Sequence, residues 1–382
     1  MSDLELPYAY GNPPLTAVLR SAPEDFQVEE ILGYDADGEG EHALLWVEKR
    51  GANTDWVARE LAKFAGIPPL NVGYAGLKDR HAVTRQTFSV QLAGKPDPDW
   101  STFAAEGVKV LAATRHTRKL KRGALRGNRF VLVLRQVDGD RAVADQILKQ
   151  IAQRGVPNYF GEQRFGREGG NVAQARAMFA GRRVDRDKRH FLLSAARSHI
   201  FNAVLAARVE RDAWDSPMEG EIWSLAGSRS WFGPEPFDAT LSQRLATGDI
   251  HPSGPLWGRG ETPAQAEVAS LENAVAADNA DLADGLVAAK MDQERRALRM
   301  IPQNLSWRWL EDGALELSFE LAAGAYATTV VRELAMPGMG LRKEGRGVAK
   351  FPNFKTQLTK VWDSLKAMTE SVKILVLSME TL

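Results

Sequence analysis

The 382-residue chain contains no cysteine, which excludes disulfides, thiolate catalysis and cysteine-ligated zinc or iron–sulfur sites. It also lacks an apolar run of the roughly 18 residues that a membrane span requires. The N-terminal stretch, MSDLELPYAY, does not have the basic and apolar pattern of a signal peptide. These absences predict a cytoplasmic protein with no membrane partner.

Common ligand-binding motifs are missing as well. The chain has neither a G-x-x-x-x-G-K-[ST] phosphate loop nor a G-x-G-x-x-G between a strand and a helix. Its six histidines include no His-x-x-x-His pair, so no metal site is expected. In DADGEGEH, residues 35–42, the first glycine comes too early for an EF-hand, and a hairpin turn is the preferred interpretation.

Net charge is absent too, because 49 basic residues balance 49 acidic ones, but the charges are segregated. Residues 115–129, RHTRKLKRGALRGNR, hold seven Lys or Arg and no acid, whereas residues 261–290 hold six acids and one lysine. Such a basic run can attract a polyanion, and it is equally typical of a solvated surface.

The apolar pattern changes twice along the chain, whose length favours two domains. It predicts mainly strands up to about residue 140, then amphipathic helices, then strands again in SWRWLEDGALELSFEL, where Asp312-Gly313 fits a tight turn. The predicted strands are FQVEEIL, HALLWVEKR, TRQTFSVQL and RFVLVLRQV; the predicted helices are residues 53–66, 140–155 and 188–210, with a last one from about Tyr326. This order predicts an α+β fold with a mainly helical insertion at residues 154–302.

The segment GYAGLKDRHAVTRQ, residues 73–86, is the main candidate for chemistry. Asp79 lies between Lys78 and Arg80, and neighbouring cations keep a carboxylate ionised, as a nucleophile or a base requires. Gly73 and Gly76 would let a ligand approach the backbone closely. The same residues are also typical of a solvated turn, and the spacing leaves both interpretations open.

Two further segments carry features of RNA binding. NYFGEQRFG, residues 158–166, interleaves three aromatic residues with Arg164, a pattern that suits either base stacking or a buried core. GALRGNRF, residues 123–130, places Asn128 among arginines, where its amide can pair with a base edge or cap a turn.

Taken together, six segments in this order resemble the TruD family of tRNA pseudouridine synthases, from about residue 15 to 334. They are PEDFQVEE (23–30), GYAGLKDRHAVTRQ (73–86), GNRF (127–130), VPNYFGEQRFG (156–166), LSAARSHIFNAVLAARV (193–209) and AGAYATTVVREL (323–334). The resemblance implies an enzyme that isomerises uridine 13 in the D-arm of tRNA without a metal or cofactor. The N1–C1′ bond breaks, the uracil turns, and it is rejoined through C5.

The resemblance also implies a fold and an oligomeric state. A pseudouridine synthase catalytic domain, with a mixed, largely antiparallel sheet and helices, would comprise residues 1–153 and 303–336. A mainly helical TRUD domain would be inserted at residues 154–302, and the family suggests a monomer. Residues 337–382 would form an extension; its stretch GLRKEGRGVAKFPNFK is basic and could contact RNA, but we expect the extension to be dispensable.

Five residues take roles from the resemblance. Asp79 matches the catalytic aspartate, which would act either as a nucleophile at C1′ or as a base at C2′. Phe26 would line the site, Asn128 would contact the substrate, and Tyr326, where phenylalanine is usual, would pack on the target base. Arg20 replaces a common lysine and could pair with Asp79.

Beside Asp79, Lys78 and Arg80 are expected near substrate phosphates.

Two other functions compete with the enzyme. A non-catalytic RNA-binding or chaperone protein on the same scaffold would not need the carboxylate of Asp79. A glycosidic hydrolase commonly needs a second acid, and the sequence shows no paired carboxylate motif.

Overall fold

The computed structural model describes residues 6–166 and 169–337. The proposed extension therefore lies outside the described residues, apart from Pro337. Within the described ranges, no helix is both long enough and apolar enough to cross a membrane.

The helices and strands form three blocks along the chain. The first contains β1 Leu15–Leu19, β2 Phe26–Ile31, β3 His42–Arg50, α1 Thr54–Phe64, β4 Val72–Tyr74, β5 Val83–Gln91, β6 Val108–His116, β7 Gly127–Gly139 and α2 Arg141–Arg154. The second contains β8 Val156–Pro157, α3 Gly170–Phe179, α4 Arg186–Glu210, β9 Trp223–Leu225, β10 Trp231–Phe232, α5 Ala239–Ala246, β11 Ile250–Leu256, α6 Ala266–Asp278, α7 Ala280–Ala288, β12 Glu294–Ala297 and β13 Arg299–Met300. The third contains β14 Gln303–Trp309, β15 Leu315–Ala322, α8 Ala327–Arg332 and β16 Ala335–Pro337.

The first and third blocks build one ten-stranded sheet, in the order β14-β15-β7-β2-β5-β3-β6, with β1 on β7, β16 on β1, and β4 on β5. Only the β1–β16 and β2–β5 pairs are parallel among its described pairs. This mixed, largely antiparallel sheet with helices confirms the predicted α+β class and the predicted strands. The turn between β14 and β15 also forms as predicted, with Gly313 at a positive φ of 81°.

The predicted hairpin at residues 35–42 is wrong. These residues connect β2 to β3, but β5 lies between the two strands, parallel to β2 and antiparallel to β3. The loop is anchored instead on the end of β6, where Asp37 accepts hydrogen bonds from the backbone N–H and hydroxyl of Thr117, at 3.0 and 2.5 Å. A glycine-rich, acidic stretch therefore serves here as a crossing connection.

Helices cover the sheet through regularly spaced apolar residues. In α2 the buried positions Ala144, Ile147, Leu148 and Ile151 follow helical spacing and join the core formed by β7, β2 and β15. Helix α1 begins after Asn53, as predicted, and contributes to a second core with β3 and β5.

The second block has its own apolar core, centred on the long helix α4. It also holds a four-stranded sheet, in the order β10-β9-β11-β12, which the helical prediction for this region missed. The strands are short, and β11, IHPSGPL, contains two prolines and a glycine, residues that normally indicate a loop. The domain boundaries at residues 154 and 302 stay a prediction.

Candidate active site

A buried lysine donates hydrogen bonds to the loop between β4 and β5, which carries Asp79. Lys49 of β3 is 0% exposed, and its Nζ donates to the carbonyl oxygens of Ala52 at 3.0 Å, Asp79 at 3.0 Å and Lys78 at 3.4 Å. Burial lowers the pKa of Lys49 to about 8, while the charge of Asp79 acts in the opposite direction. Sequence reasoning missed this lysine.

A second set of contacts fixes the same loop from the start of α1. The hydroxyl of Thr54 accepts a hydrogen bond from the backbone N–H of Lys78 at 3.1 Å and lies 3.0 Å from Gln86 Oε1. The amide of Gln86 donates to the carbonyl of Gly76 at 3.3 Å. Because the backbone on both sides of Asp79 is bonded to buried groups, the position of its side chain is well determined.

The Asp79 carboxylate is partly open to solvent, with 28% of its side chain exposed. Its Oδ2 lies 3.3 Å from Arg20 Nη1, and its Oδ1 accepts a hydrogen bond from the backbone N–H of His81 at 2.9 Å. The cation that pairs with Asp79 is therefore Arg20, which is distant in sequence. The adjacent Arg80 turns away and donates to the carbonyl of Gly51.

Arg20 lies between Asp79 and the aromatic ring of Phe26. Its guanidinium carbon is 4.1 Å from the centroid of that ring, and Phe26 itself is only 4% exposed. Arg20 has a φ of 65°, a conformation that non-glycine residues seldom adopt. The structure thus brings Arg20, Phe26 and Asp79 into one cluster.

Lys78 belongs to a buried network instead of facing solvent. Its Nζ lies 2.9 Å from Glu30 Oε2 and donates to Asn128 Oδ1 at 2.7 Å; the side chains of Lys78 and Glu30 are 6% and 0% exposed. Because an ammonium group only donates, the amide oxygen of Asn128 must face it, which directs the NH₂ group elsewhere. We infer from this geometry that Lys78 positions Asn128 and does not contact a substrate phosphate.

Tyr326 precedes α8, where the helix was predicted to begin, and is half-buried. Its hydroxyl accepts a hydrogen bond from Arg164 Nη2 at 3.1 Å, and its ring meets Phe160 edge to face with 6.3 Å between centroids. Among the described residues, no hydrogen bond joins Tyr326 to Asp79 or Asn128.

The aromatic residues around Arg164 are core residues. Tyr159, Phe160 and Phe165 are 1%, 6% and 7% exposed and join the core of the second block. The core interpretation of NYFGEQRFG is therefore correct, and these three rings do not form an open stacking platform.

The basic run at residues 115–129 lies on the surface at the end of β6, the start of β7 and the loop between them. Some of its charges are compensated: Arg115 pairs with Asp97 at 2.7 Å, and Arg126 lies 3.7 Å from Glu320. Arg118, Lys121 and Arg129 are exposed. They contribute positive charge to this surface.

Comparison with known proteins gives consistent matches over nearly the whole described chain. The family model for "tRNA pseudouridine synthase D (TruD)" matches residues 5–174 and 171–334. A protein named tRNA pseudouridine synthase D from Xanthomonas campestris pv. campestris (strain 8004) is 55% identical over 344 residues, which cover 86% of this chain and 94% of the relative. Another of that name, from Pseudomonas fluorescens (strain Pf0-1), is 50% identical over 338 residues and covers 87% and 96%.

A solved structure supports the fold. The crystal structure of the putative tRNA pseudouridine synthase D from Methanosarcina mazei superposes with a TM-score of 0.69 and 22% sequence identity. The match covers 87% of this chain and 96% of that one. At this identity, the similarity establishes a shared architecture.

Proposed function

The chain belongs to the TruD family of tRNA pseudouridine synthases, and on that premise we propose that it converts a uridine of tRNA to pseudouridine. The resemblance of its motifs to the family points to uridine 13 in the D-arm as the target. One observation carries the proposal: the carboxylate of Asp79 is partly exposed and is held by Arg20 and the backbone N–H of His81. A fixed, accessible carboxylate is what the sugar chemistry requires.

Two routes remain open for Asp79. As a nucleophile, its oxygen would bond to C1′ while the N1–C1′ bond breaks, and C5 of the turned uracil would then displace it. As a base, it would take the C2′ proton as uracil leaves, which forms a C1′=C2′ double bond, and would return that proton to C2′ as C5 bonds to C1′. In both routes C5 finally loses a proton and N1 gains one, so no external reactant is consumed.

The residues around Asp79 would orient the reaction. Arg20 would hold one carboxylate oxygen, and the ring of Phe26 would support the guanidinium from its other side. Asn128, fixed by Lys78, would offer its NH₂ group to an acceptor on the nucleotide.

Access to C1′ requires the uridine to leave its stack, which costs a few kcal/mol. Packing of the base on Tyr326 would return about 1–3 kcal/mol. The exposed basic residues between 115 and 129 would bind backbone phosphates, so tRNA affinity should fall as salt rises.

We further propose that residues 1–153 and 303–336 form the catalytic domain and residues 154–302 the insertion. The separate apolar cores of the first and second blocks support this division. Cytoplasmic location and a monomeric state stay predictions.

Mapping of pseudouridine by carbodiimide modification tests the proposal. In tRNA from a strain that lacks this protein, a single D-arm uridine should lose its modification. Expression of the protein should restore it, and expression of Asp79→Asn should not. If every modified uridine persists in the deletion strain, a non-catalytic RNA-binding function becomes the better interpretation.

A further inference from the structure

Two arginines of the second block lie against one aromatic ring. The guanidinium carbons of Arg164 and Arg296 are 5.3 and 4.3 Å from the ring centroid of Phe160. Arg164 comes from a short 3-10 turn, Glu162–Phe165, and Arg296 from β12. Two positive charges thus lie against the same ring, and the charge of Arg164 acts on Arg296.

Every hydrogen-bond partner of these two guanidiniums is neutral. Arg164 donates to the hydroxyls of Ser194 at 2.8 Å and Tyr326 at 3.1 Å. Arg296 donates to Asn158 Oδ1 at 2.7 Å and to the carbonyl of Gly324 at 3.4 Å. In the described part of the chain, neither arginine forms an ion pair with an acid.

Two other buried arginines in the same block pair with acids. Arg295, the neighbour of Arg296, pairs with Glu272 at 2.8 Å, and both side chains are 1% exposed. Arg208 pairs with Glu221 at 2.7 Å, with 1% and 2% exposed. Among the described residues, Arg164 and Arg296 have no such acid, and neither does the buried Arg299, which donates to His251 and to the carbonyl of Leu245. The distinctive feature of Arg164 and Arg296 is therefore that both uncompensated guanidiniums lie against one ring.

The arrangement is unfavourable without a counter-charge. The Nε atoms of Arg164 and Arg296 are buried and have no hydrogen-bond partner among the described residues. Burial lowers the pKa of Arg296 to about 10, and the charge of Arg164 adds to this effect. An anion that accepted hydrogen bonds from both guanidiniums would give these N–H groups a partner and would compensate the buried charges.

We propose that Arg164 and Arg296 form a binding site for one phosphate group of the RNA backbone. Both residues are half-buried, and the adjoining turn at Ala323 and Gly324 is exposed, so a polynucleotide can reach them. The hydrogen bond from Arg164 to Tyr326 places this site beside the residue proposed to pack on the target base. The inference rests on the proposed function, and it identifies a phosphate at or next to the flipped nucleotide as the ligand.

Arg141 provides a matched control for this arginine pair. Its guanidinium carbon lies 4.6 Å from the ring centroid of Trp309, and it forms no ion pair among the described residues. It lies near Gly313, at the other end of β15 from Gly324. Arg141→Gln therefore removes a similar aromatic-stacked charge away from the proposed site.

The first experiment measures binding of an unmodified tRNA transcript at several salt concentrations. For the double variant Arg164→Gln/Arg296→Gln, we expect affinity to fall about ten-fold or more. The slope of log K against log salt should decrease by about 0.7–0.9 for the lost phosphate contact. Arg141→Gln should keep the wild-type slope. An unchanged slope and affinity with a reduced kcat would mean that the arginines only position Tyr326, and would overturn the proposal.

The second experiment replaces single phosphates near the target uridine by neutral methylphosphonates. One replacement should weaken binding to the wild-type protein and should have no further effect on the double variant. If the double variant does not fold, the single variant Arg296→Lys is used instead. The methylphosphonate that weakens binding to the wild-type protein should then weaken binding to Arg296→Lys by a smaller factor. If no linkage near the target affects the wild type, the phosphate site is wrong. If tRNA binds as expected but no pseudouridine forms, the proposed function fails while the phosphate site stands.

Discussion

Arg20 Nη1 lies 3.3 Å from Asp79 Oδ2, and this pair joins the segment before β2 to the loop before β5. The guanidinium also covers the ring of Phe26 at 4.1 Å. A planar guanidinium can make both contacts at once, whereas the ammonium of a lysine can replace only the charge. We infer that Arg20 orients the carboxylate and closes one side of the site.

Substitution of Arg20 should affect catalysis more than binding. Arg20→Lys keeps the charge and should retain most of the kcat, while Arg20→Met should lose about 10- to 100-fold because the carboxylate is no longer oriented. Single-turnover pseudouridine formation measures the effect. Arg85→Met, which removes a surface arginine paired with Glu48, is the control and should behave as wild type. Equal activity of Arg20→Met and wild type would contradict the orienting role.

Asp79→Asn should remove activity while the protein still folds and binds tRNA. The amide keeps the size and one acceptor oxygen but can act neither as the nucleophile nor as the base, so a loss of about 10³-fold or more is expected. Melting temperature should change little, because a partly exposed ion pair contributes about 0–1 kcal/mol. Turnover retained in a preparation free of the host enzyme would disprove the role of Asp79.

Local patterns in the sequence predicted most elements of the main sheet, because its strands alternate apolar and polar residues. The four-stranded sheet of the second block was missed, since its short strands include prolines and glycine at β11. The position of β5 between β2 and β3 depends on pairing between residues far apart in sequence. No local pattern reports such pairing, which explains the incorrect hairpin.

The motifs predicted Asp79 as the catalytic candidate, but the residues that surround it are distant in sequence. Lys49 and Glu30 were missed although a signal was present. In β3 the buried residues Ala43, Leu45 and Val47 alternate with more exposed ones, and Lys49 falls on their face. Glu30 falls on the face of Phe26 in the same way. A charged residue at a buried position of a strand is costly unless it is paired, and therefore marks a polar network.

The extension can be tested by truncation at two positions. Strand β16 pairs with β1 through Leu15 and Ala335, and Leu15 donates to the carbonyl of Leu334 at 3.1 Å. Removal of the residues after Pro337 keeps these bonds, and activity should stay near that of the full chain. Removal of everything after Leu334 should lower the melting temperature. A large loss of tRNA binding in the longer, folded truncation would show that the basic extension contributes to RNA recognition.

Stability should fall in mild acid because of a buried histidine. His251 is 9% exposed, and its Nδ1 accepts a hydrogen bond from Arg299 Nε at 3.1 Å. Burial, with a contribution from the charge of Arg299, lowers the pKa of His251 to about 4 from a usual 6.5. Between these values the unfolded chain binds a proton that the folded chain does not, so the free energy of unfolding decreases as pH falls, by up to about 3 kcal/mol.

Urea unfolding between pH 7 and 4.5 measures this effect. His251→Asn keeps an acceptor near Nδ1 but does not titrate, so its stability should depend less on pH than that of the wild type. His190→Asn, at an exposed position, should keep the wild-type dependence. If His251→Asn and wild type lose stability in parallel, His251 is not the responsible group.

Lys49 should control the rate through the loop that carries Asp79. Lys49→Met leaves the carbonyls of Lys78 and Asp79 without their donor, so the carboxylate loses its fixed position and kcat should fall about 10- to 100-fold. Affinity for tRNA should change little, because Lys49 is fully buried and does not face the substrate. Lys63→Met, which removes an exposed lysine of α1, is the matched control.

The pH dependence of the wild type gives a sharper test of the same role. The pKa of Lys49 is about 8 in the folded protein and 10.5 without burial. Below pH 8, Lys49 is protonated in both the folded and the unfolded protein. Between pH 8 and 10.5 it is protonated only in the unfolded protein, so the free energy of unfolding should rise with pH over this range. The kcat should fall over the same pH range, because the neutral amine of Lys49 has only two N–H groups for the three carbonyls that it binds. A falling kcat above pH 8 that persists in Lys49→Met would assign the titration to another group.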